Sequence, residues 1–265
     1  MSRVALFGVQ CEWGSLREHA APLYDNGKSV EQVREWIREA ARIAALAGAG
    51  LSAESGVPTF RGAGGLWRQY RPEDLATPEA FFRDPRLVWE WYDWRRTRIA
   101  QAAPNPAHYA LAELERRKPG FTLITQNVDG LEEQAGCRNV LRLHGDIWTL
   151  RCVLCGRERR DRTAPLAELP PHCECGALER PGVVWFGEPL PGAAWQQAEQ
   201  AAAQAELFLV IGTSAVVYPA AGLVWLAKES GARVVEINLE ETAVSPEADA
   251  SFKGKAGEIL PSLLS

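Results

Sequence analysis

Two spacings of apolar residues run along this chain. Ser29-Val30-Glu31-Gln32 has the form of a capping box, and Val30, Val33, Ile37 and Ala41 then recur at helical spacing, which predicts a helix to about residue 41. The compact run Ile43-Ala44-Ala45-Leu46-Ala47 follows and ends in Gly48-Ala49-Gly50, the pattern of a buried strand, a glycine turn and a helix start. Similar runs return at Phe121–Thr125, Val140–Leu143, Leu207–Ile211 and Val234–Ile237, with helical patterns between most of them, such as Ala107–Arg117. Strands alternating with helices predict a parallel sheet covered on both faces. Polar motifs stand directly after these runs: Gln126-Asn127-Val128-Asp129, His144-Gly145, Gly212-Thr213-Ser214 and Asn238-Leu239-Glu240. Ligands of open α/β sheets bind at the carboxyl ends of the strands, so four strand ends point at one cleft.

Two stretches break the pattern. Residues 60–100 are rich in Trp, Arg and Pro, and residues 148–184 hold clustered cysteines, arginine-rich turns and Pro170-Pro171. Both are expected to belong to a smaller module inserted in the larger domain. Residues 1–28 carry little pattern and read as an extension of unknown role. The expected fold class is therefore α/β, a Rossmann-like parallel sheet with helices on both faces plus a smaller inserted zinc-binding and helical module.

The chain has 265 residues, 29 basic against 34 acidic, for a net charge of −5. That balance argues against a large phosphate-binding surface and so against a nucleic-acid partner. The start of the chain lacks the apolar core of a signal peptide, which gives the expectation of a cytoplasmic protein. Leu207 to Ala227 is uncharged and long enough to span a bilayer. Gly212-Thr213-Ser214 and Tyr218-Pro219 interrupt it, so the expectation is strand, polar loop and helix start, with no membrane partner.

Three motifs carry chemistry. Gly48-Ala49-Gly50-Leu51-Ser52-Ala53 fits the glycine pattern of dinucleotide sites, where glycines let the backbone approach a pyrophosphate. The acidic residue expected about 20 positions later in dehydrogenases is missing, which disfavours that class. Four of the six cysteines, Cys152, Cys155, Cys173 and Cys175, lie in two close pairs, a set suited to a closed tetrahedral zinc site. His172 stands ready as a substitute ligand. A zinc ribbon that binds nucleic acid through Arg157, Arg159, Arg160 and Arg162 is the competing use. His144, at a strand end facing the cleft, is placed for general-base work near neutral pH, whereas His19, His108 and His172 are read as structural.

The segment from Gly48 to Gly62 closely resembles the signature of the sirtuins, NAD-dependent protein deacylases. So do Thr125–Leu131, Leu143-His144-Gly145, the paired cysteines, Val183–Glu188, Gly212-Thr213-Ser214 and Glu236–Glu240. The resemblance spans about residues 30–265, in the family's order. It implies NAD as co-substrate and acylated-lysine proteins or peptides as partners. It implies a large NAD-binding domain of residues 29–59, 101–147 and 185–265, and a small domain with a helical part at 60–100 and a zinc-binding part at 148–184.

Carried over residue by residue, it places the phosphates of NAD near Gly48, Ala49, Gly50, Ser52 and Ala53. Gln126, Asn127 and Asp129 fall at the nicotinamide end, and Gly212, Thr213, Ser214, Asn238, Leu239, Glu240 and Ala256 at the adenosine half. Phe60 would cover the site, with Arg61 and Trp67 beside it. The acyl oxygen would attack the ribose carbon as nicotinamide leaves, and His144 would take a proton from a ribose hydroxyl. Free lysine and O-acyl-ADP-ribose would result. Val184, Phe186 and Gly187 would contact the substrate, their segment pairing with it as an added strand.

One signal narrows the acyl group. Tyr92 and Arg95 share a helix face and resemble the Tyr-x-x-Arg of sirtuins that remove succinyl and malonyl groups, with Ala76 matching a small residue that widens the acyl pocket. An ordinary amphipathic helix with Arg95 solvated is the bland alternative. Mono-ADP-ribosyl transfer, which starts from the same broken bond, is the competing activity.

Overall fold

The structure, a computed structural model, describes residues 29–60, 65–66 and 71–265. Its strands are β1 (Arg42–Ala47), β2 (Gly120–Thr125), β3 (Val140–Arg142), β4 (Gly145–Cys152), β5 (Glu158–Arg160), β6 (Glu179–Val183), β7 (Leu207–Ile211), β8 (Arg233–Asn238) and β9 (Ala250–Lys253). The helices are α1 (Val30–Glu39), α2 (Ala49–Ala53), α3 (Pro72–Leu75), α4 (Pro78–Arg83), α5 (Pro85–Ala100), α6 (Pro106–Arg117), α7 (Leu131–Gln134), α8 (Gly192–Gln204), α9 (Gly222–Glu229) and α10 (Ala256–Leu264).

Six strands pair in parallel in the order β3-β2-β1-β7-β8-β9, and three pair antiparallel in the order β5-β4-β6. The large sheet is Rossmann-like, with its order reversing between β1 and β7. Period-two alternation sends Ile43, Ala45, Leu207 and Leu209 to one face, where α1, α6 and α10 cover them. Ala44, Leu46, Phe208 and Val210 face α8 and α9 on the other. Both faces are thus dry, which explains why these strands read as unbroken apolar runs. Ser29 accepts from the Gln32 amide at 3.2 Å, as the capping signature predicts. The uncharged stretch resolves into β7, a loop and α9, and no helix among the described residues is long and apolar enough to cross a membrane.

A third apolar cluster joins the two segments that broke the sequence pattern. Phe81, Val88, Trp89 and Ile99 of α4 and α5 pack with Ile147, Trp148 and Leu150 of β4 and Val183 of β6. Arg96 ties them together from a fully buried position. Its guanidinium donates to the carbonyls of Ile147 at 2.7 Å and of Asp161 and Thr163 at 2.8 Å, and sits 5.1 Å from the Trp148 ring centroid. Trp89 adds a 2.7 Å bond to the Glu179 carbonyl.

Arg96→Met keeps the apolar stem and strands three carbonyl oxygens, each costing about 1–3 kcal/mol when left unpaired. Urea unfolding should show a loss of about 3 kcal/mol or more. A loss below about 1 kcal/mol would mean that water replaces the guanidinium at no cost.

Candidate active site

At the carboxyl ends of β1, β2, β7 and β8 lies a cleft of about 760 Å³, which α5 and the turn after β6 also line. A hollow of about 790 Å³ lies at the opposite ends of the strands, but its charges pair with one another, Arg42 with Glu206 and Arg233 with Glu39. The cleft is the place where polar side chains converge.

Its floor is two turns in contact. The Gly50 amide donates to the Gly212 carbonyl at 2.7 Å, and the Gly48 amide to the Ile211 carbonyl at 2.9 Å. A Cβ on Gly48 would lie 2.7 Å from Thr213 Cβ, and one on Gly50 2.7 Å from Gly212 Cα. Gly212, at φ +58°, would drive a Cβ to 2.4 Å from the Leu51 amide nitrogen. These glycines therefore first permit the turns to meet, and the joined turns then form the wall that a pyrophosphate would follow. Gln126 Nε2 bridges to Thr213 Oγ1 at 2.9 Å, and Asn238 Nδ2 to the Thr213 carbonyl at 2.8 Å.

His144 lies on this cleft, its Nδ1 3.0 Å from the Gln126 carbonyl. A carbonyl only accepts, so Nδ1 carries the proton and Nε2 keeps its lone pair. Burial lowers the pKa of the imidazole and the Gln126 bond opposes this in part. The ring is neutral near pH 7, as a base must be.

Behind the cleft is a buried polar network. Thr125 Oγ1 accepts from the Asn127 amide at 3.0 Å and donates to Glu132 Oε1 at 2.6 Å, while Asn127 Nδ2 donates to the Gly48 carbonyl at 3.1 Å. His108 Nδ1 accepts from the Asn105 amide at 3.2 Å in a capping box on α6, and its Nε2 lies 3.4 Å from Ser52 Oγ. Burial holds His108 down at about 4, so it stays neutral. Burial raises both Asp129 and Glu132, which also repel each other, and Glu132 reaches about 8.

The other end of the cleft is aromatic. Arg95 is buried, with its guanidinium carbon 4.7 Å from the centroid of Phe60, 5.0 Å from that of Trp91 and 5.8 Å from that of Tyr92. Among the described residues it forms no ion pair within 4 Å, and only longer-range interactions with Tyr92 and Asp129 offset its burial. The surface-helix alternative for Arg95 is thereby excluded. Tyr92 Oη accepts from Trp185 Nε1 at 2.9 Å. Ala76 lies alongside, its carbonyl accepting from the Phe186 amide at 2.9 Å.

Away from the cleft, the four cysteine sulfurs gather within 4.8 Å of one another. Cys152 and Cys175 are 3.5 Å apart, and Cys155 and Cys173 3.7 Å. Sulfurs around a tetrahedral zinc are about 3.8 Å apart, given Zn–S bonds of about 2.3 Å, so the set fits that ion. The amides of Leu154 and Cys155 point at Cys152 Sγ, both at 3.4 Å, donors that favour its thiolate. Thiolates are what a metal binds.

A Sir2 family model matches residues 48–219, well over half of the chain. The chain belongs to the Sir2 family. It is 59% identical over 215 residues to an NAD-dependent protein deacylase of Aquifex aeolicus, covering 81% of this chain and 90% of that one. It is also 59% identical over 219 residues to NAD-dependent protein deacylase 2 of Pyrobaculum aerophilum, covering 82% and 87%. Among solved structures, a Sir2 homolog–NAD complex aligns with a TM-score of 0.83 at 50% identity, covering 88% of this chain and 92% of that one. A Sir2–p53 peptide–NAD+ complex aligns at 0.79 and 30% identity, covering 89% and 98%.

Within this Sir2 chain the cleft brings together Gly48, Ala49, Gly50, Ala53, Phe60, Ala76, Tyr92, Arg95, Gln126, Asn127, His144, Val184, Phe186, Gly187, Gly212, Thr213, Ser214, Asn238, Leu239 and Glu240. Ser52 and Asp129 are buried behind it. Ala256 begins α10 inside the core and is not among the residues lining the cleft. Arg61 and Trp67 lie outside the described residues. Within the Val183–Glu188 segment β6 stops at Val183, and a turn closed by the Glu188 amide on the Trp185 carbonyl follows. The Val184 amide already donates to the His144 carbonyl and the Phe186 amide to Ala76, so this edge has fewer groups to offer a peptide.

The nucleic-acid use of the zinc module also loses its basis. Arg157 pairs with Glu174, Arg159 with Glu179 and Asp161, and Arg160 with Asp146, while Arg162 stacks on Trp148. Sequence reasoning missed Glu132, Trp185, Arg180 and Glu188 as parts of the site. A glutamate in a short helix start carries no signal of burial, and Trp185 read equally well as core.

Metal analysis of freshly purified protein should find one zinc per chain, and Cys173→Ala should lose it together with folding stability. Active protein without zinc contradicts the site. A second expectation concerns pH. Glu132 is about 8 in the fold against 4.5 when free, so the stability of its neutral form is full below about 4.5 and is lost as pH rises to about 8. Glu132→Gln removes this titration and keeps an oxygen for Thr125. Its melting temperature should gain on that of wild type across the same window. Parallel melting curves throughout would mean that Glu132 does not titrate there.

Proposed function

We propose that this chain is an NAD-dependent protein-lysine deacylase whose acyl pocket takes groups ending in a carboxylate, succinyl and malonyl. The relatives named as NAD-dependent protein deacylases support the activity. The observation that carries the acyl preference is Arg95, a buried guanidinium facing a cleft among aromatic rings with no carboxylate paired to it among the described residues. Burying a charge without a partner is costly. A substrate carboxylate completes the site, with Tyr92 as a second donor. An acetyl group leaves it incomplete.

In this reading the joined glycine turns hold the phosphates, and Glu240 and Ser214 take the adenosine end. Asn127 is held by Thr125 and the Gly48 carbonyl at the nicotinamide end, backed by Asp129. NAD, when bound, supplies an activated ribose carbon and the hydroxyls beside it. His144 Nε2 is the atom that accepts a proton, and the Gln126 carbonyl keeps the other nitrogen protonated, so the tautomer is fixed before substrate arrives. As pH falls below 6.5 toward the lowered value for His144, that lone pair is lost and turnover falls with it. Phe60 lies over Arg95 and screens the site from water. Cys152, Cys155, Cys173 and Cys175 would hold a structural zinc. Residues 29–59, 101–147 and 185–265 then form the NAD-binding domain, and 60–100 with 148–184 the small one.

Matched succinyl- and acetyl-lysine peptides test this. Arg95→Met should raise the Michaelis constant for succinyl-lysine by roughly 10–150-fold, the worth of a charge-assisted bond of about 1.5–3 kcal/mol, and affect acetyl-lysine far less. An equal loss on both peptides would make Arg95 a structural residue.

A further inference from the structure

We propose that Trp185 is a specificity-determining positioning residue, whose indole N–H, donating to the Tyr92 oxygen, makes the Tyr92 hydroxyl donate into the acyl pocket. The inference rests on the carboxylate-binding reading of that pocket. A phenol oxygen offers two lone pairs and one hydrogen, whereas an indole N–H only donates. At 2.9 Å the Trp185 hydrogen occupies one lone pair of Tyr92 Oη. Two hydrogens do not share that line, so the phenolic hydrogen rotates away from Trp185. Tyr92 and Trp185 are both buried, at 2% exposure each, and both line the cleft. Among the described residues the Tyr92 hydrogen has no acceptor, while the Arg95 guanidinium carbon is 5.8 Å from the Tyr92 ring centroid. Hydroxyl and guanidinium together form a neutral donor beside a cationic one, the set that a terminal carboxylate needs.

The indole is itself fixed. Arg180 and Glu188 form a two-bond ion pair, one of its bonds at 2.8 Å, and Arg180 also donates to the Val183 carbonyl at 3.0 Å. Glu188 Oε2 accepts from the Trp185 backbone amide at 2.8 Å, which closes the turn. The Arg180 guanidinium carbon stacks 3.4 Å from the indole centroid, and Phe81 packs at 5.4 Å. With one face on Arg180 and the backbone pinned by Glu188, the N–H has one direction to point. Burial also pushes the Tyr92 phenol up to about 12, so it remains a neutral donor rather than an anion that would repel the substrate.

The test is a double-mutant cycle on the full chain, with wild type, Trp185→Phe, Tyr92→Phe and the double variant. Each is assayed for kcat/KM on succinyl- and acetyl-lysine peptides. The ratio of the two values cancels any loss common to both substrates. Trp185→Phe keeps an aromatic ring on Arg180 and removes the N–H. It should lower the succinyl-to-acetyl ratio by about 2–10-fold, the scale of one hydrogen bond, and lower it no further once Tyr92 is Phe. An unchanged ratio, or a fall that repeats in full in the Tyr92→Phe background, would overturn the inference while leaving the pocket assignment standing. Glu188→Gln, which loosens the turn without touching the ring, should lower the ratio in the same non-additive way and serves if Trp185→Phe does not fold. A wild type that shows no succinyl preference, with Arg95→Met equally harmful to both peptides, would overturn the pocket reading and the inference together.

Discussion

The contact between two glycine turns, Gly48–Gly50 after β1 and Gly212–Thr213 after β7, is the constraint on which the rest of the site depends. These strands are neighbours at the point where the sheet order reverses, so the chain leaves them toward opposite faces. A cleft opens there, and at its floor the two departing backbones meet closely. Gaps of 2.4–2.8 Å to any added Cβ show that no side chain fits at the crossing. Once the turns meet, Gln126, Asn127, His144 and Asn238, each at or just beyond the end of a strand, are brought to one wall. The cleft is thus a consequence of sheet topology, and the chemistry is what the strand ends carry.

This fold treats its buried charges in two ways. Arg95 and Arg96 are consecutive on α5 and both buried, yet their surroundings differ. Arg96 donates from its two terminal nitrogens to three carbonyls and works as a bolt between α5 and the small sheet. Arg95 has rings around it and faces the cleft. A guanidinium buried among rings, with no ion pair within 4 Å among the described residues, costs stability. Glu132 is handled in the opposite way: raised to about 8, it stays neutral and accepts from Thr125. Polar groups here thus differ: Glu132, His108 and Gln126 are hydrogen-bonded within the fold, whereas Arg95 and His144 line the open cleft.

Much of the frame was legible before the structure. β1, β2, β7 and β8 announce themselves as short apolar runs because both faces of the sheet are covered there, β3 is a half-buried edge strand, and the polar motifs behind these strands locate the cleft. β9 was not seen, since Ala250-Ser251-Phe252-Lys253 is a half-exposed edge with no such run. The small sheet was also hidden. β5 is Glu-Arg-Arg, wholly exposed, and β6 contains Pro181 and Gly182, so register against β4 rather than composition makes them strands. Val184-Trp185-Phe186 has strand composition but forms a turn after β6, whose shape is decided by Glu188 accepting from the Trp185 amide. Pairings such as Trp185 with Tyr92 join residues 93 apart, a distance no local pattern spans.

The central claim is that one cleft joins NAD cleavage to removal of an acyl group from lysine. Mass spectrometry of a reaction containing the full chain, NAD and a succinyl-lysine peptide tests it most directly. The account predicts one nicotinamide and one O-succinyl-ADP-ribose for every lysine freed. ADP-ribose attached to protein, or NAD breakdown with the peptide still acylated, would contradict it.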